Sequence, residues 1–335
     1  MKVLIWGVII FAMFSCQHED NLFCGKVIRA DKFEQELMLV GNRVPYMDSI
    51  GNFEITAVPL GLVVTMYKLP YFANIYSREG KRYEKNYFIM GEGPDEFLSF
   101  IVLNQKQDST LYVQDYKRKM VYGIDLAKVV DGTGSAIKQQ VDYNAFATPL
   151  QVFYCNDTSL MVKDVDAIDG ILYYKYNPQT GYKKRINMYS TPVLMGDMDY
   201  MMSIADCLKP DAKKIASLTG TLNQIDVLNL EDSTSNFSFT TAKDLVTLEK
   251  VRLDKKESQN YYLSLPRCSD NVIFALYQRD DRKEFHVIDW HGKALFRLGV
   301  NENLNDFSID WIDYKLYGMN EDGEVYFYDL KSLNL

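Results

Sequence analysis

The sequence predicts an all-β fold, and three observations lead to that prediction. Tyrosine and phenylalanine are abundant, at 24 and 18 of 335 residues, and aromatic side chains favour the half-buried surfaces of strands over helices. One pattern of strands and turns recurs along the chain. No long stretch shows the apolar period of 3.6 residues, with capping residues, that is typical of a helix. We therefore expect short strands joined by turns.

Each repeat contains an apolar strand, a polar gap, a second strand that ends near Asp or Asn, and a closing strand after a turn. The copies span residues 62–77, 110–125, 159–177, 214–229, 271–298 and 315–329. The residues that end the second strand of each copy are Ser77, Asp125, Asn177, Asn229, Asp289 and Asp329. Their mean spacing of about 50 residues lies within the range expected of propeller blades.

Six such repeats predict a six-bladed β-propeller of four-stranded antiparallel blades. A lone four-stranded sheet exposes two apolar faces, so such sheets gain stability when they pack radially and close into a ring. The stretch from Lys26 to Leu60 contains strand-like runs, and we expect it to close the two termini together in the last blade. Turn glycines such as Gly292 and Gly323 supply the positive φ that tight hairpins need.

The first residues indicate export. An apolar run over residues 3–14 follows one basic residue. The run is shorter than the roughly 20 residues of a membrane-spanning helix, but it is typical of a signal peptide. Ser15 directly before Cys16 resembles a lipobox, in which the cysteine becomes the lipidated first residue after cleavage, although Met13 and Phe14 depart from the commoner residues. An ordinary signal peptide is the alternative.

We therefore divide the chain into a lipoprotein signal peptide over residues 1–15, a lipidated tether over residues 16–25 and a propeller domain over residues 26–335. Gln17 differs from the Asp that retains many lipoproteins at the inner membrane, and residues 17–20 resemble a surface-export signal of some Gram-negative bacteria. The expected location is the outer membrane, either at the cell surface or on the periplasmic side. The membrane, reached through the lipid, is the first expected partner.

The charge of the chain argues against nucleic-acid binding. The 45 acidic and 37 basic residues give a net charge of −8, and the bases are scattered among the acids. Proteins that bind DNA or RNA need a basic face, because neutralising phosphate supplies most of the affinity. We expect no nucleic-acid partner and a monomeric ring.

No pattern predicts catalytic residues, a cofactor or a metal. Residues 91–96 lack the third glycine of a dinucleotide loop, and Pro94 removes an amide donor, so a turn between blades is expected. Residues 164–170 depart from the spacing of a calcium loop and predict a hairpin turn. His286 and His291 lie on opposite faces of a strand, with no third ligand near them in the sequence.

The cysteines after Cys16 show no CxxC spacing. Cys155 and Cys268 occupy equivalent positions in different repeats and would lie apart around a ring, so a disulfide between them is not expected. Export would permit disulfides, but buried free thiols are the favoured interpretation. The cysteines concerned are Cys24, Cys155, Cys207 and Cys268.

Several segments resemble the TolB-like family of six-bladed propeller lipoproteins. In that family an "ALY" strand precedes a "vFDWdGkp" turn, and "kPDgkk" and "GxGPgEF" segments lie earlier in the chain. The matching segments are residues 91–97, 209–214, 275–277, 285–293 and 310–330. Asp95 replaces the usual glycine of the early segment. The resemblance covers about residues 60–330 and implies an exported propeller lipoprotein, but it carries over no catalytic residues.

Aromatic and basic residues near strand ends are the candidate ligand-binding residues: Trp290, Trp311, Tyr277, Arg267 and Arg279. Aromatic rings stack on sugars or grip a peptide, and each of them also packs well in a core.

We expect a binding module for a glycan, a peptide or a partner protein, and no catalysis. The alternative is a carbohydrate hydrolase or lyase with carboxylate catalysts in the central funnel. Converging acids with a perturbed pKa would indicate the enzyme, and an aromatic or neutral polar cleft the module.

Overall fold

The computed structural model describes most of the chain from Gly25 to Leu335. The residues outside the description are 1–24, 48–50, 69, 84–86, 106–107, 187–188, 190–191, 195, 198–203, 254–259 and 280–281. The side chains of residues 46, 67, 68, 87, 204, 279 and 282 also lie outside it.

Three short strands precede the first blade: β1 (Lys26–Arg29), β2 (Gln35–Leu39) and β3 (Asn42–Arg43). Blade 1 contains β4 (Asn52–Val58), β5 (Gly61–Lys68), β6 (Tyr71–Ser77) and β7 (Tyr87–Ile89). Blade 2 contains β8 (Ile101–Val102), β9 (Thr110–Asp115), β10 (Met120–Asp125) and β11 (Ile137–Asp142). Blade 3 contains β12 (Pro149–Asn156), β13 (Ser159–Asp166), β14 (Gly170–Tyr176) and β15 (Lys183–Ile186).

The second half of the ring repeats this plan. Blade 4 contains β16 (Ile204–Leu208), β17 (Lys214–Thr219), β18 (Ile225–Asn229) and β19 (Phe237–Thr240). Blade 5 contains β20 (Tyr262–Cys268), β21 (Val272–Arg279), β22 (Arg282–Asp289) and β23 (Ala294–Val300). Blade 6 contains β24 (Leu304–Asp310), β25 (Lys315–Asn320) and β26 (Val325–Asp329).

Helices are short and lie outside the blades. The α-helices are α1 (Leu126–Asp131) and α2 (Leu248–Leu253), and the 3-10 turns are Pro45–Met47, Ser233–Ser235 and Lys331–Leu333. No helix of the described residues is both long and apolar enough to cross a bilayer.

The apolar core of the described residues consists of six clusters, and each cluster lies between two neighbouring blades. Blade 6 packs on blade 1 through Tyr317 and Met319 against Ile55 and Leu62. Because this last interface joins the end of the repeat array to its start, the sheets close into a ring. The predicted six-bladed β-propeller is confirmed.

The residues that close the repeats cap the turns that follow them. The side-chain oxygen of each accepts a hydrogen bond from a backbone N–H two or four residues further on, which is how Asp, Asn and Ser stabilise turns. These residues are Ser77, Asp125, Asn177, Asn229, Asp289 and Asp329. Five of them end the third strand of their blade, and Asn177 follows Tyr176, the last residue of β14. The repeat spacing read from the sequence therefore reflects local turn chemistry.

The N-terminal segment closes the ring and also reinforces two other blades. Strand β3 pairs with β26 through Arg43 and Tyr326, so it supplies the fourth strand of blade 6, as predicted. Strand β1 pairs in parallel with β19, and β2 pairs in parallel with β23. Blades 4 and 5 consequently have five strands each, which the sequence did not predict. Phe33, between β1 and β2, is buried against Phe239 and His286.

The first strand of each blade lies on the inner side of the ring, and the first strands of blades 4, 5, 6 and 1 pack on one another in turn. The turns after the first and third strands lie on one face, which we call the upper face. The C-terminal residues lie there, beside the turns of blades 4 and 5. Gly25 also lies there, because the N–H of Lys26 donates to Asn236 O at 3.2 Å, just before β19 begins.

Candidate functional site

A cavity of about 280 Å³ opens on the upper face between the inner strands. Its walls are formed by the ends of β4, β20 and β24 and by residues 103–105, which follow β8. Most of the wall is apolar, and its apolar residues are Val58, Pro59, Leu103, Ile309, Trp311 and Ile312. Glu54, Asn104 and Arg267 supply polar groups. An enclosed apolar hollow with a few polar groups is the usual form of a ligand pocket.

Asn104 bridges the inside of the ring. Its Nδ2 donates to the backbone oxygens of Asp206 at 2.6 Å and Pro266 at 2.7 Å, and its Oδ1 accepts from Arg267 Nη1 at 2.9 Å. One blade 2 side chain therefore holds the inner strands of blades 4 and 5. These bonds fix Arg267 beside the cavity.

Arg267 is buried, with 8% of its surface exposed, yet its guanidinium is incompletely paired. Nε donates to Phe307 O at 2.9 Å. Nη2 lies 3.5 Å from Asp306 Oδ1 and 3.9 Å from Glu54 Oε1, and it makes no hydrogen bond within the described residues. A buried donor without an acceptor is destabilising. This nitrogen lies between two carboxyl groups in the wall of the cavity and forms a full hydrogen bond with neither.

The two carboxyl groups near Arg267 differ in their environment. Asp306 accepts hydrogen bonds from Ile55 N at 2.9 Å and from the Ser264 hydroxyl, so its oxygens hold blades 1, 5 and 6 together. Burial and the Asp306 charge raise the pKa of Glu54 to about 7, although Arg267 acts in the opposite direction. Near neutral pH, Glu54 is consequently able to hold or release a proton.

The backbone beneath the cavity is strained at one residue. Ser264 has φ of 60° in the register shift between Leu263 and Arg267. A left-handed conformation costs a non-glycine residue about 1 kcal/mol or more and is often found at functional sites. The bulge directs the Ser264 hydroxyl to Asp306. The strained residue, Ser264, is thus the one that donates a hydrogen bond to Asp306, the carboxylate beside Arg267.

The rim of the cavity is a rigid turn after β24. Asp310 Oδ1 accepts from the N–H groups of Ile312 at 2.9 Å and Asp313 at 3.2 Å, and Arg78 pairs with both Asp310 and Asp313. Trp311 packs edge-on against Phe274, with the ring centroids 5.9 Å apart. The side chain of Ile312 is largely exposed. An aromatic and an aliphatic side chain are therefore presented at the mouth.

The five predicted ligand-binding residues lie in different places, and only two of those whose side chains are described line the cavity. Arg267 and Trp311 both line the cavity. Tyr277 is buried and stacks on His286, with ring centroids 4.3 Å apart. Trp290 is buried, and its Nε1 donates to Ser269 O at 3.0 Å. Arg279 ends β21, and its side chain lies outside the described residues, as does the whole of Cys16. The binding role of all these residues stays a prediction.

Sequence reasoning missed Glu54, Asn104 and Asp306. None of them lies in a motif, and their partners are distant in sequence: Asn104 and Arg267 are 163 residues apart. The one available signal was an ionisable residue inside an otherwise apolar inner strand, which applies to Glu54 in β4 and Asp306 in β24.

The two loops that superficially resemble ligand-binding motifs are turns, as predicted. Residues 91–96 lie between β7 and β8, where Glu96 Oε2 accepts from Gly93 N at 2.8 Å. Asp166 Oδ1 accepts from the N–H of Ile168 and of Asp169 in the hairpin between β13 and β14. In the described part of the chain, no three His, Cys, Asp or Glu side chains are grouped as metal ligands.

The comparisons with known proteins support the fold. A crystal structure of a Bacteroides fragilis protein whose name describes it as exported superposes with a TM-score of 0.52. The two share 13% sequence identity, and the match covers 91% of this chain and 98% of that one. No protein-family profile matches the sequence, and no curated protein is detectably similar to it. The resemblance to the TolB-like family therefore stays a prediction.

Proposed function

We propose that this chain is an exported, lipid-anchored TolB-like propeller that binds a peptide or partner protein at its central cavity. One observation carries the proposal: a rigid, mostly apolar cavity on the upper face, with Trp311 and Ile312 at its mouth and the Arg267 side chain in its wall. A volume of about 280 Å³ suits one side chain rather than a whole polymer.

The lining favours a peptide over a glycan. A sugar carries many hydroxyl groups, and each one buried without a partner is destabilising. Here Asn104 already uses its amide on the neighbouring blades, and Arg267 uses Nε and Nη1. Of the other polar lining residues, Gln105 bonds to the backbone of Tyr154, Ser308 accepts from Ala57 N and Asp310 caps its own turn. An apolar side chain of the ligand would fill the hollow.

The proposed anchor would orient the cavity. Gly25 lies on the upper face, and the eight residues from 17 to 24 reach at most about 28 Å when fully extended. A lipid on Cys16 would therefore hold the cavity towards the membrane, so a ligand at or in that membrane is favoured. The exported description of the structurally similar Bacteroides fragilis protein supports an envelope location.

One observation favours the alternative of a carbohydrate hydrolase or lyase. Glu54, with its pKa of about 7, is suited to proton transfer at neutral pH. Asp306, the nearest carboxyl group, is occupied by Ile55 and Ser264. Asp310 and Asp108 also line the cavity, but Asp310 caps its own turn and pairs with Arg78, and Asp108 accepts from Thr110 N. Glycoside hydrolysis uses a pair of carboxyl groups, and we favour binding because the partners available to Glu54 already make structural bonds.

The test uses the full chain in mild detergent on peptide and glycan arrays. We expect peptide binding that Trp311→Ala weakens about tenfold or more, since central aromatic residues dominate binding energies. Tyr182→Ser is the matched control, because Tyr182 is an exposed aromatic residue on the same face outside the cavity. Binding to glycans alone would contradict the peptide assignment. Product formation that Glu54→Gln abolishes would establish the enzyme.

The anchor is tested separately. Mass spectrometry of the N-terminal peptide should show an acylated Cys16, and Cys16→Ser should release the protein from the membrane fraction. A free thiol at residue 16 would contradict anchoring without affecting the binding assignment.

A further inference from the structure

Two buried cysteines meet where blades 4 and 5 pack together. Cys207 lies in β16 and Cys268 ends β20, the inner strands of the two blades. Both side chains belong to the apolar cluster between these blades, and their exposed fractions are 1% and 7%. The strands that carry them, β16 and β20, pack directly on one another. No other described cysteine is near them, since Cys155 packs between blades 3 and 4.

The backbones on both sides of this pair are held together. Asn104 Nδ2 binds the oxygens of Asp206 and Pro266, which lie just before the two cysteines. The Cys268 thiol also donates to Leu208 O at 3.3 Å. The two strand ends are therefore fixed side by side by contacts that do not depend on a sulfur–sulfur bond.

From this juxtaposition we propose that Cys207 and Cys268 form a disulfide between blades 4 and 5 when the protein meets an oxidising disulfide. The bond requires the two sulfurs to approach to about 2.05 Å. Oxidising compartments outside the cytosol permit such bonds. The inference goes beyond the proposed function, because it concerns a covalent link in the wall of the cavity and not the ligand.

The order of the two exchange steps follows from accessibility. Cys268 lines the cavity, whereas Cys207 is fully buried. The Cys268 thiolate attacks a disulfide such as oxidised glutathione, forming a mixed disulfide and releasing one glutathione thiolate. The Cys207 thiolate then attacks the sulfur of Cys268 and releases the second glutathione. Both cysteines lose a proton to the solvent or to the departing thiolates, and two electrons pass to glutathione.

The link would stiffen the cavity. Cys268 directly precedes the β20–β21 turn and follows Arg267, so the bond would join the strand that carries Arg267 to blade 4. It would also close a loop over residues 207–268, which restricts the unfolded chain. Oxidation should therefore raise the melting temperature and leave the fold unchanged.

The experiment uses the full chain in mild detergent, first reduced and then equilibrated with oxidised glutathione. Free thiols are blocked under denaturing conditions, and tryptic peptides are identified by mass spectrometry. We expect a peptide in which Cys207 is linked to Cys268, and a melting temperature that rises by several degrees. Cys155→Ser should retain both effects, whereas Cys207→Ser and Cys268→Ser should lose them.

Two results would overturn the inference. One is that both thiols remain fully alkylated after oxidation; the other is that the linked peptides contain Cys155 or Cys24 instead. Because the peptide analysis is made on the unmodified chain, it is decisive even if a serine variant does not fold. Neither result would affect the array experiment on the cavity.

Discussion

Two buried charged groups on the inner side of the ring differ in how completely they are paired. In blades 3 and 4, Asp206 accepts from Lys163 Nζ at 3.0 Å, from the Tyr173 hydroxyl at 2.9 Å and from Ser217 Oγ at 2.6 Å. Lys163 and Asp206 are both almost fully buried. Each carboxylate oxygen has a partner, and the group borders no cavity described above.

The group around Arg267, between blades 5, 6 and 1, is looser. Its ion-pair distances to Asp306 and Glu54 are 3.5 Å and 3.9 Å, and Nη2 has no acceptor. It also borders the central cavity. A fully satisfied buried polar group rigidifies the structure around it. The comparison therefore separates a fully paired group that holds blades 3 and 4 together from a partly paired group that borders the cavity.

The largest expected effect on stability is in the fully paired group of Lys163 and Asp206. Asp206→Ala should lower the free energy of unfolding by about 3–5 kcal/mol, because it leaves the Lys163 ammonium buried without a counter-ion. Urea denaturation measures this loss. The double variant Lys163→Met with Asp206→Leu, which removes both charges, should recover most of it. A cost below about 1 kcal/mol for the single variant would show that water reaches this group.

The second effect is a pH dependence of the free energy of unfolding, which arises in the group around Arg267 through Glu54. Glu54 has a pKa of about 7 in the folded chain against 4.5 when unfolded, so the folded state binds the additional proton between these values. This stabilisation is complete below about pH 4.5 and is lost as the pH rises through 7, by up to about 3 kcal/mol. Glu54→Gln should abolish this part of the slope and be more stable than the parent at pH 8.

The contribution of Glu54 is the difference between the pH profiles of unfolding free energy of the parent and of Glu54→Gln, because other titrating residues contribute equally to both. Burial lowers the pKa of His286, so that residue makes the protein less stable as the pH falls below 6.5. Glu231→Gln is the control, because Glu231 is exposed on the upper face. Identical pH profiles for Glu54→Gln and the parent would contradict the assignment.

A third, smaller effect is expected at the guanidinium. Arg267→Lys should cost about 1–3 kcal/mol, because one ammonium group cannot replace the bonds to both Phe307 O and Asn104 Oδ1. Thermal unfolding measures the loss. Arg185→Lys, in an exposed ion pair with Asp169, should change stability by less than about 1 kcal/mol. If Arg267→Lys lowers the free energy of unfolding more than Asp206→Ala does, the distinction between the partly paired group around Arg267 and the fully paired group around Asp206 is wrong.

The smallest effect on stability is expected at the rim. Ile312→Ser should change the free energy of unfolding by less than about 0.5 kcal/mol, since the side chain is largely exposed. It should nevertheless weaken peptide binding on the array. Unchanged binding would remove Ile312 from the proposed contact surface while leaving Trp311 to be judged by its own variant.

The fold was predictable because its determinants are local. Asp289, for example, accepts from the N–H groups of His291 and Lys293 within one turn, and such a turn leaves a visible repeat in the sequence. The parallel strands β1 and β2 were not predictable in the same way. Their partners lie about 200 or more residues away, and an edge position imposes little pattern on a short strand.

The sequence alone determined the number of blades and the turn that ends each repeat, because each depends on residues within a few positions or on a regular spacing. It further indicated closure by the N-terminal segment, because strand-like runs precede the first repeat and a ring needs its ends joined. It also indicated Arg267 and Trp311 as candidates. Only the tertiary structure decided that these two share a cavity, that Tyr277 and Trp290 lie in the core, and that the pKa of Glu54 is raised to about 7. Ring closure brings together residues more than 250 positions apart, such as Ile55 and Asp306, and burial in that interior shifts the pKa of Glu54.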